Sequence, residues 1–150
     1  MNLKNLSKNL VKFLKLSNQF LIVASLFLSA SIFPAVQVIK PSENSYQDIQ
    51  EALILAEPGD IIRLSAGVFS LEDSLSLDVA GVQIEGEGMS QTILDFSNQL
   101  SGAQGLSVTS NNVTLQDFAI QNAKGDAIKV KGVTNIKFLR VKTEWTNGPS

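Results

Sequence analysis

Residues 105–145 read GLSVTSNNVTLQDFAIQNAKGDAIKVKGVTNIKFLRVKTEW, and their two halves superimpose. Leu106, Ser107 and Val108 fall on Ile128, Lys129 and Val130 with a shift of 22 residues. Val113, Thr114 and Leu115 fall on Ile136, Lys137 and Phe138, and Phe118 on Val141, with a shift of 23. A period in the low twenties marks one supersecondary unit per repeat. Each half carries three short runs in which apolar and polar residues alternate, the period of a strand and not of a helix.

Three short strands per repeat with no helix between them suit a parallel β-helix better than a leucine-rich repeat. Successive coils would lie about 4.8 Å apart and bond to one another along the axis. Leu106, Val108, Val113, Leu115, Ile128, Val130, Ile136 and Phe138 are then expected to face a shared interior. Ser107, Thr114, Lys129 and Lys137 are expected to face out. A single coil cannot bury its own apolar side, so the fold exists only as a stack, and its crossovers should be right-handed. The expected fold class is all-β, a right-handed parallel β-helix.

The 150 residues suffice for one domain, and the 44% hydrophobic and 17% charged content suits an ordinary core. The absence of cysteine excludes disulfides and thiolate chemistry. The absence of histidine removes the commonest general base and transition-metal ligand. The net charge of −2 hides a strong asymmetry. Residues 36–123 carry 2 basic and 12 acidic side chains, whereas residues 124–150 carry 6 basic and 2 acidic.

The first 35 residues contain Lys4, Lys8, Lys12 and Lys15 and no acid, followed by the apolar run FLIVASLFLSASIF at 20–33. Its 14 residues are short for a membrane span of about 20 and match a secretory leader. Residues 1–35 are therefore read as a signal peptide, with candidate cut points after Ala30, Ser31 and Ala35. The alternative is an uncleaved N-terminal anchor. Export to the periplasm, cell surface or medium of a bacterium follows. No nucleic-acid partner and no membrane span in the mature chain are expected.

Ser45 and Asp48 have the spacing of a capping box. Ile49, Ala52, Leu53 and Ala56 then form one apolar helical face, and Pro58, Gly59 and Asp60 end the helix with a turn. Laid across the first coil, this helix would protect a strand edge that otherwise invites pairing. Residues 74–77, 82–84 and 92–96 are expected to make the first full coil. The step from Val82 to Val113 is 31 residues, which predicts about 8 extra residues bulging as one loop around 98–104. The run Glu85, Gly86, Glu87, Gly88 lacks the third glycine and following helix of a nucleotide fingerprint and reads as a tight turn.

Outward cations near the end of the chain are the candidate ligand-binding groups. Lys129 and Lys131 alternate with Ile128 and Val130 on one strand. Lys137 and Lys142 project from the next two, with Arg140 at the corner. Stacked coils would join them into a strip suited to anionic sugars, although outward lysines also serve to deter edge pairing. Trp145 is a candidate sugar platform, though a lone Trp more often packs. Asp95, Asp117 and Asp126 could offer oxygen to a cation needing about 6–8 ligands, but they suit turns equally well. Asn112, Val113 and Thr114 form a glycosylation pattern that is expected to be idle in a bacterium.

The order of these segments resembles the bacterial parallel β-helix repeat proteins of the pectin-lyase-like superfamily. The likeness covers 38–150 and is carried by EPGDIIRLSAGVF, VQIEGEGMSQTIL and Lys124-Gly125-Asp126-Ala127-Ile128. It implies a right-handed β-helix with an N-terminal capping helix, residues 36–150 being its N-terminal part with further coils to follow. It also implies an acidic polysaccharide as partner and leaves calcium open as a cofactor. No catalytic pattern of those enzymes maps onto this sequence, and one fold hosts many functions. Two readings follow: a lyase or epimerase acting on an acidic glycan, and a non-catalytic carbohydrate-binding or structural solenoid. Uronic-acid chemistry would need a cation for the carboxylate, a base and a proton donor.

Overall fold

The computed structural model describes residues 33–146, so the leader expected at 1–35 lies almost wholly outside the described residues. From Pro34 on the chain is mostly β-structure with one short helix. The elements in order are β1 (Val36–Ile39), α1 (Ser45–Leu55), β2 (Ile61–Leu64), β3 (Gly67–Ser70) and β4 (Leu75–Leu77). There follow β5 (Gln83–Glu85), β6 (Thr92–Asp95), β7 (Gln104–Val108), β8 (Thr114–Gln121), β9 (Asp126–Val130) and β10 (Lys137–Glu144). Every strand pairing is parallel.

The strands fall into three columns. β1, β2, β5 and the first halves of β8 and β10 form the first; β3, β6 and the second halves of β8 and β10 form the second. Because β8 and β10 run through both, these columns make one seven-stranded sheet. The third column, β4–β7–β9, is a separate three-stranded sheet.

Register reproduces the sequence repeat. Leu75, Leu106 and Ile128 align, as do Leu77, Val108 and Val130, and Leu115 lies beside Phe138. Ile62, Ile84, Leu94, Leu106, Val108 and Leu115 are almost wholly buried. Burying each such side chain contributes about 1.5–3 kcal/mol relative to exposure. The expectation that all eight named apolar residues share a closed interior needs correction. Val130 is 39% and Phe138 47% exposed, and Ile128 and Ile136 are half-buried. They occupy the predicted lines, but among the described residues no strand lies beyond β9 and β10 to cover them.

The predicted single insertion is also corrected. Gln83 pairs with Thr114, 31 positions on, yet the extra residues divide between two corners. From Glu85 to Ile93 the chain takes eight positions, where the equivalent step from Gln116 to Ala119 takes three. From Asp95 to Leu106 it takes eleven, against seven from Gln121 to Ile128. The physical reason lies at the first corner. β8 turns it with one residue, Asp117, in the left-handed region at φ 61°. One repeat earlier, the chain loops through 86–91 instead. Gly86 passes so close that a Cβ there would overlap the Asp117 carbonyl oxygen, which accepts from the Gly88 amide (2.8 Å). The tight turn expected at the glycine pair is therefore corrected to the opening of a longer loop, whose hydrogen-bonded turn follows where the Gln91 amide donates to the Gly88 carbonyl (3.0 Å).

The helix lies over β3 and β4 and buries Ile49, Ala52 and Leu53, as the periodicity predicts. Its start differs from the expected capping box. The N-cap is Asn44, and Ser45 is already inside the first turn. The Ser45 hydroxyl instead donates to the Ser42 carbonyl (2.7 Å), and the Asp48 carboxylate accepts from the Ser42 hydroxyl (2.7 Å). An upstream serine competes for both side chains. At the other end, Asp60 accepts from the amides of Glu57 and Ala35 (2.8 Å each), tying the Pro58-Gly59 turn to the start of β1.

Edge protection by α1 is chemical as well as steric. Gln50 donates its amide to the Ser76 carbonyl (3.1 Å) and accepts from the Ser76 N–H (2.8 Å). A side-chain amide thereby supplies both bonds that a neighbouring strand would have given the middle of β4.

Candidate glycan-facing surface

Outside the columns, side chains form ladders across successive strands. Glu85 accepts from Arg63, Gln83 and Gln116. Asp95 accepts from Ser97 (2.7 Å) and Asn122 (2.9 Å). Asn122 also donates to the Ser97 hydroxyl (2.9 Å) and accepts from the Thr146 amide (2.7 Å). Asn135 donates to Asn112 (2.7 Å). Parallel pairing places these groups within reach, because equivalent residues of adjacent parallel strands sit side by side.

The candidate cations are distributed unequally over this surface. Lys129 lies on β9, aligned with Ser107 and Ser76 on the outer line of the three-stranded sheet. Lys131 follows immediately, its amide donating to the Val108 carbonyl (3.1 Å). Both lysines are exposed, and neither is in an ion pair among the described residues. Lys137 is exposed on β10, beside Thr114, also without an ion pair among them.

Arg140 and Lys142 are committed elsewhere. Arg140 holds the corner at φ 50° and makes a two-point bond to Asp117, from Nε (2.5 Å) and Nη2 (2.7 Å). Hydrogen bonding to Arg140, reinforced by its charge, lowers the Asp117 carboxyl below its ordinary range and raises the guanidinium. Lys142 pairs with Glu144 (2.6 Å), and Gln121 bonds the same carboxylate (2.5 Å). Those two hydrogen bonds, the lysine's first, lower Glu144. The expected single cationic strip is therefore corrected to two separate groups. Lys129 and Lys131 lie on or beside the three-stranded sheet, whereas Lys137, Arg140 and Lys142 lie on the seven-stranded one.

Trp145 donates its indole N–H to the Ala123 carbonyl (2.7 Å) and remains about half exposed. It borders an open depression of about 480 Å³ together with Phe138, Val141, Ile128 and Asp126. The bond fixes the ring while about half of it stays exposed.

The calcium that the resemblance leaves open does not fit these residues. Asp117 is held by Arg140, Asp95 by Ser97 and Asn122, and among the described residues no three acidic side chains gather as a metal site. No chemical step is assigned to a metal. No described helix is long and apolar enough to cross a membrane. No protein-family model, curated protein or solved structure matches the chain.

Proposed function

We propose that this is an exported, non-catalytic glycan-binding protein. Residues 36–146 fold as a right-handed parallel β-helix of the pectin-lyase-like kind. Its ligand is an acidic polysaccharide held by Lys129 and Lys131, with Lys137 contributing from the neighbouring sheet and Trp145 offering an aromatic face. The three parallel columns and their spacing support the helical stack. The observation that carries the binding reading is the contrast on the outer surface. Carboxylates, amides and Arg140 engage one another in ladders, while Lys129 and Lys131 stand exposed without an ion pair among the described residues. Such lysines attract anions through solvent-screened fields, giving salt-sensitive association.

Lyase or epimerase chemistry remains the second reading, since the same two lysines could neutralise a uronate carboxylate. One experiment separates them. The full chain is incubated with alginate and pectate, and unsaturated product is followed by ultraviolet absorbance. Epimer ratio is followed by NMR, and retention by affinity electrophoresis. Retention that weakens with salt and in Lys129→Ala/Lys131→Ala, with neither product, is the expected result. Unsaturated ends or altered epimer ratio would establish an enzyme instead. Absence of retention on both polymers would remove acidic-glycan binding.

A further inference from the structure

Two departures from the regular repeat meet at one place. One is α1; the other is the insertion between β6 and β7. That loop folds back onto the stack: the Leu100 amide donates to the Glu72 carbonyl (2.7 Å) and Asn98 donates to the Ser70 hydroxyl (3.2 Å). Gln99, 3% exposed, donates to Ser74 (3.2 Å) and the Gln104 carbonyl (2.9 Å) and accepts from the Lys124 amide (3.0 Å). The loop is thus anchored to the coil before it and the coil after it. Facing it, the first turn of α1 brings Gln47 to Glu72 (3.0 Å).

Between loop and helix lies a depression of about 320 Å³. Amides from Gln47 and Asn98, hydroxyls from Ser42 and Ser70, and carboxylates from Glu43 and Glu72 line it, and Tyr46 adds one aromatic ring. The Tyr46 hydroxyl bonds to no other described residue. Among the described residues no lysine or arginine lines the depression.

We propose that this pocket binds a saccharide unit carrying no carboxylate, with Tyr46 as its apolar contact and Asn98, Gln47 and Glu72 as its hydrogen-bonding partners. Sugar hydroxyls donate and accept, and they need both kinds of partner once water is displaced. The amides and carboxylates supply both beside a ring whose face is apolar. The carboxylates of Glu43 and Glu72 on the lining, with Asp73 beside them, make the local potential negative; burial first, and then the charges of Asp73 and Glu72, push the Tyr46 phenol above its usual range. A uronate would meet that potential with no cation to offset it. The volume is at the low end of the roughly 300–1,000 Å³ of ligand pockets, which suits a mono- or disaccharide. This inference stands apart from acidic-glycan binding at the lysines, and either can fail alone.

Saturation-transfer NMR and calorimetry on the full chain test it with three probes: cellobiose, the disaccharide of glucosamine, and digalacturonate. Binding of at least one of the first two, with digalacturonate about tenfold weaker or more, is expected. Preference between the first two identifies a neutral or an amino sugar. Asn98→Ala should weaken the preferred probe by about fivefold, the loss of one hydrogen bond, with unchanged thermal midpoint. Glu72→Gln, nearly isosteric, should narrow the gap to digalacturonate, and it carries the test alone if Asn98→Ala shifts the midpoint. Failure of both carboxylate-free probes to bind, equal binding of digalacturonate, or a gap unchanged in Glu72→Gln would each overturn the proposal.

Discussion

Asn122 and Arg140 show how differently two residues can occupy the same unusual backbone region. Asn122 sits at φ 58° and bonds to Asp95, Ser97 and Thr146, reaching the repeats on either side. Asparagine tolerates this region because its short amide bonds locally. Asn122→Ala should therefore cost roughly 1–3 kcal/mol through strain and lost bonds. Asn122→Gly, which keeps the conformation, should cost less; urea denaturation of both variants separates the two contributions. Arg140 holds φ 50° without that tolerance, and among the described residues its side chain bonds to Asp117 alone, in an exposed pair. Exposed pairs stabilise little, while glycine relieves the conformation. Arg140→Gly is expected to leave the urea midpoint unchanged or raised; a clear fall would show that the corner pair matters to stability. The 23-residue shift that sets Phe118 on Val141 also sets Asp117 on Arg140, so the shared corner is legible in the sequence; that the two side chains bond there is not.

At the scale of elements, the helix face was legible because Ile49, Ala52 and Leu53 follow the helical period. Its cap was not, because Ser42 takes up both Ser45 and Asp48, and a spacing rule does not see that competitor. Gln50 was equally hidden: a partly exposed glutamine on a helix carries no signal that it will complete a strand. Gln50→Ala is predicted to speed hydrogen exchange at the Ser76 amide and to lower stability by about 0.5–1.5 kcal/mol. Exchange unchanged at Ser76 would mean that the edge is protected by burial alone. Leu115, in line with Ile84 and Phe138 and wholly buried, belongs to the columns that the 22- and 23-residue shifts predict. Leu115→Ala should cost about 2–5 kcal/mol, measured by the same denaturation. The shifts fixed which residues align. They did not show how the longer step would be divided, since register constrains the columns and leaves the corners free.

For the molecule as a whole, charge legibility was partial. The imbalance between 36–123 and 124–150 is plain in the sequence, but ion pairing on the folded surface removes Arg140 and Lys142 from the free cations. The pocket by Tyr46 had only an indirect signal, the length of the β6–β7 connection. Acid response follows from the lowered Asp117 and Glu144. A lowered folded pKa means that the unfolded chain binds protons first as pH falls. The stabilisation is then present above the ordinary carboxylate value of about 4 and lost as pH drops through the folded values. With no histidine in the sequence, the thermal midpoint should stay level between about pH 5 and 8 and decline below about 4. A decline already between pH 7 and 5.5 would contradict this assignment.

The half-covered apolar residues of β9 and β10 also set an order of unravelling. Since each strand leans only on its immediate neighbours, amides at Phe138 and Val130 should take up deuterium before those at Ile84, strand by strand along the described sheets. Such a molecule would lose its form the way a knitted edge runs, one row at a time.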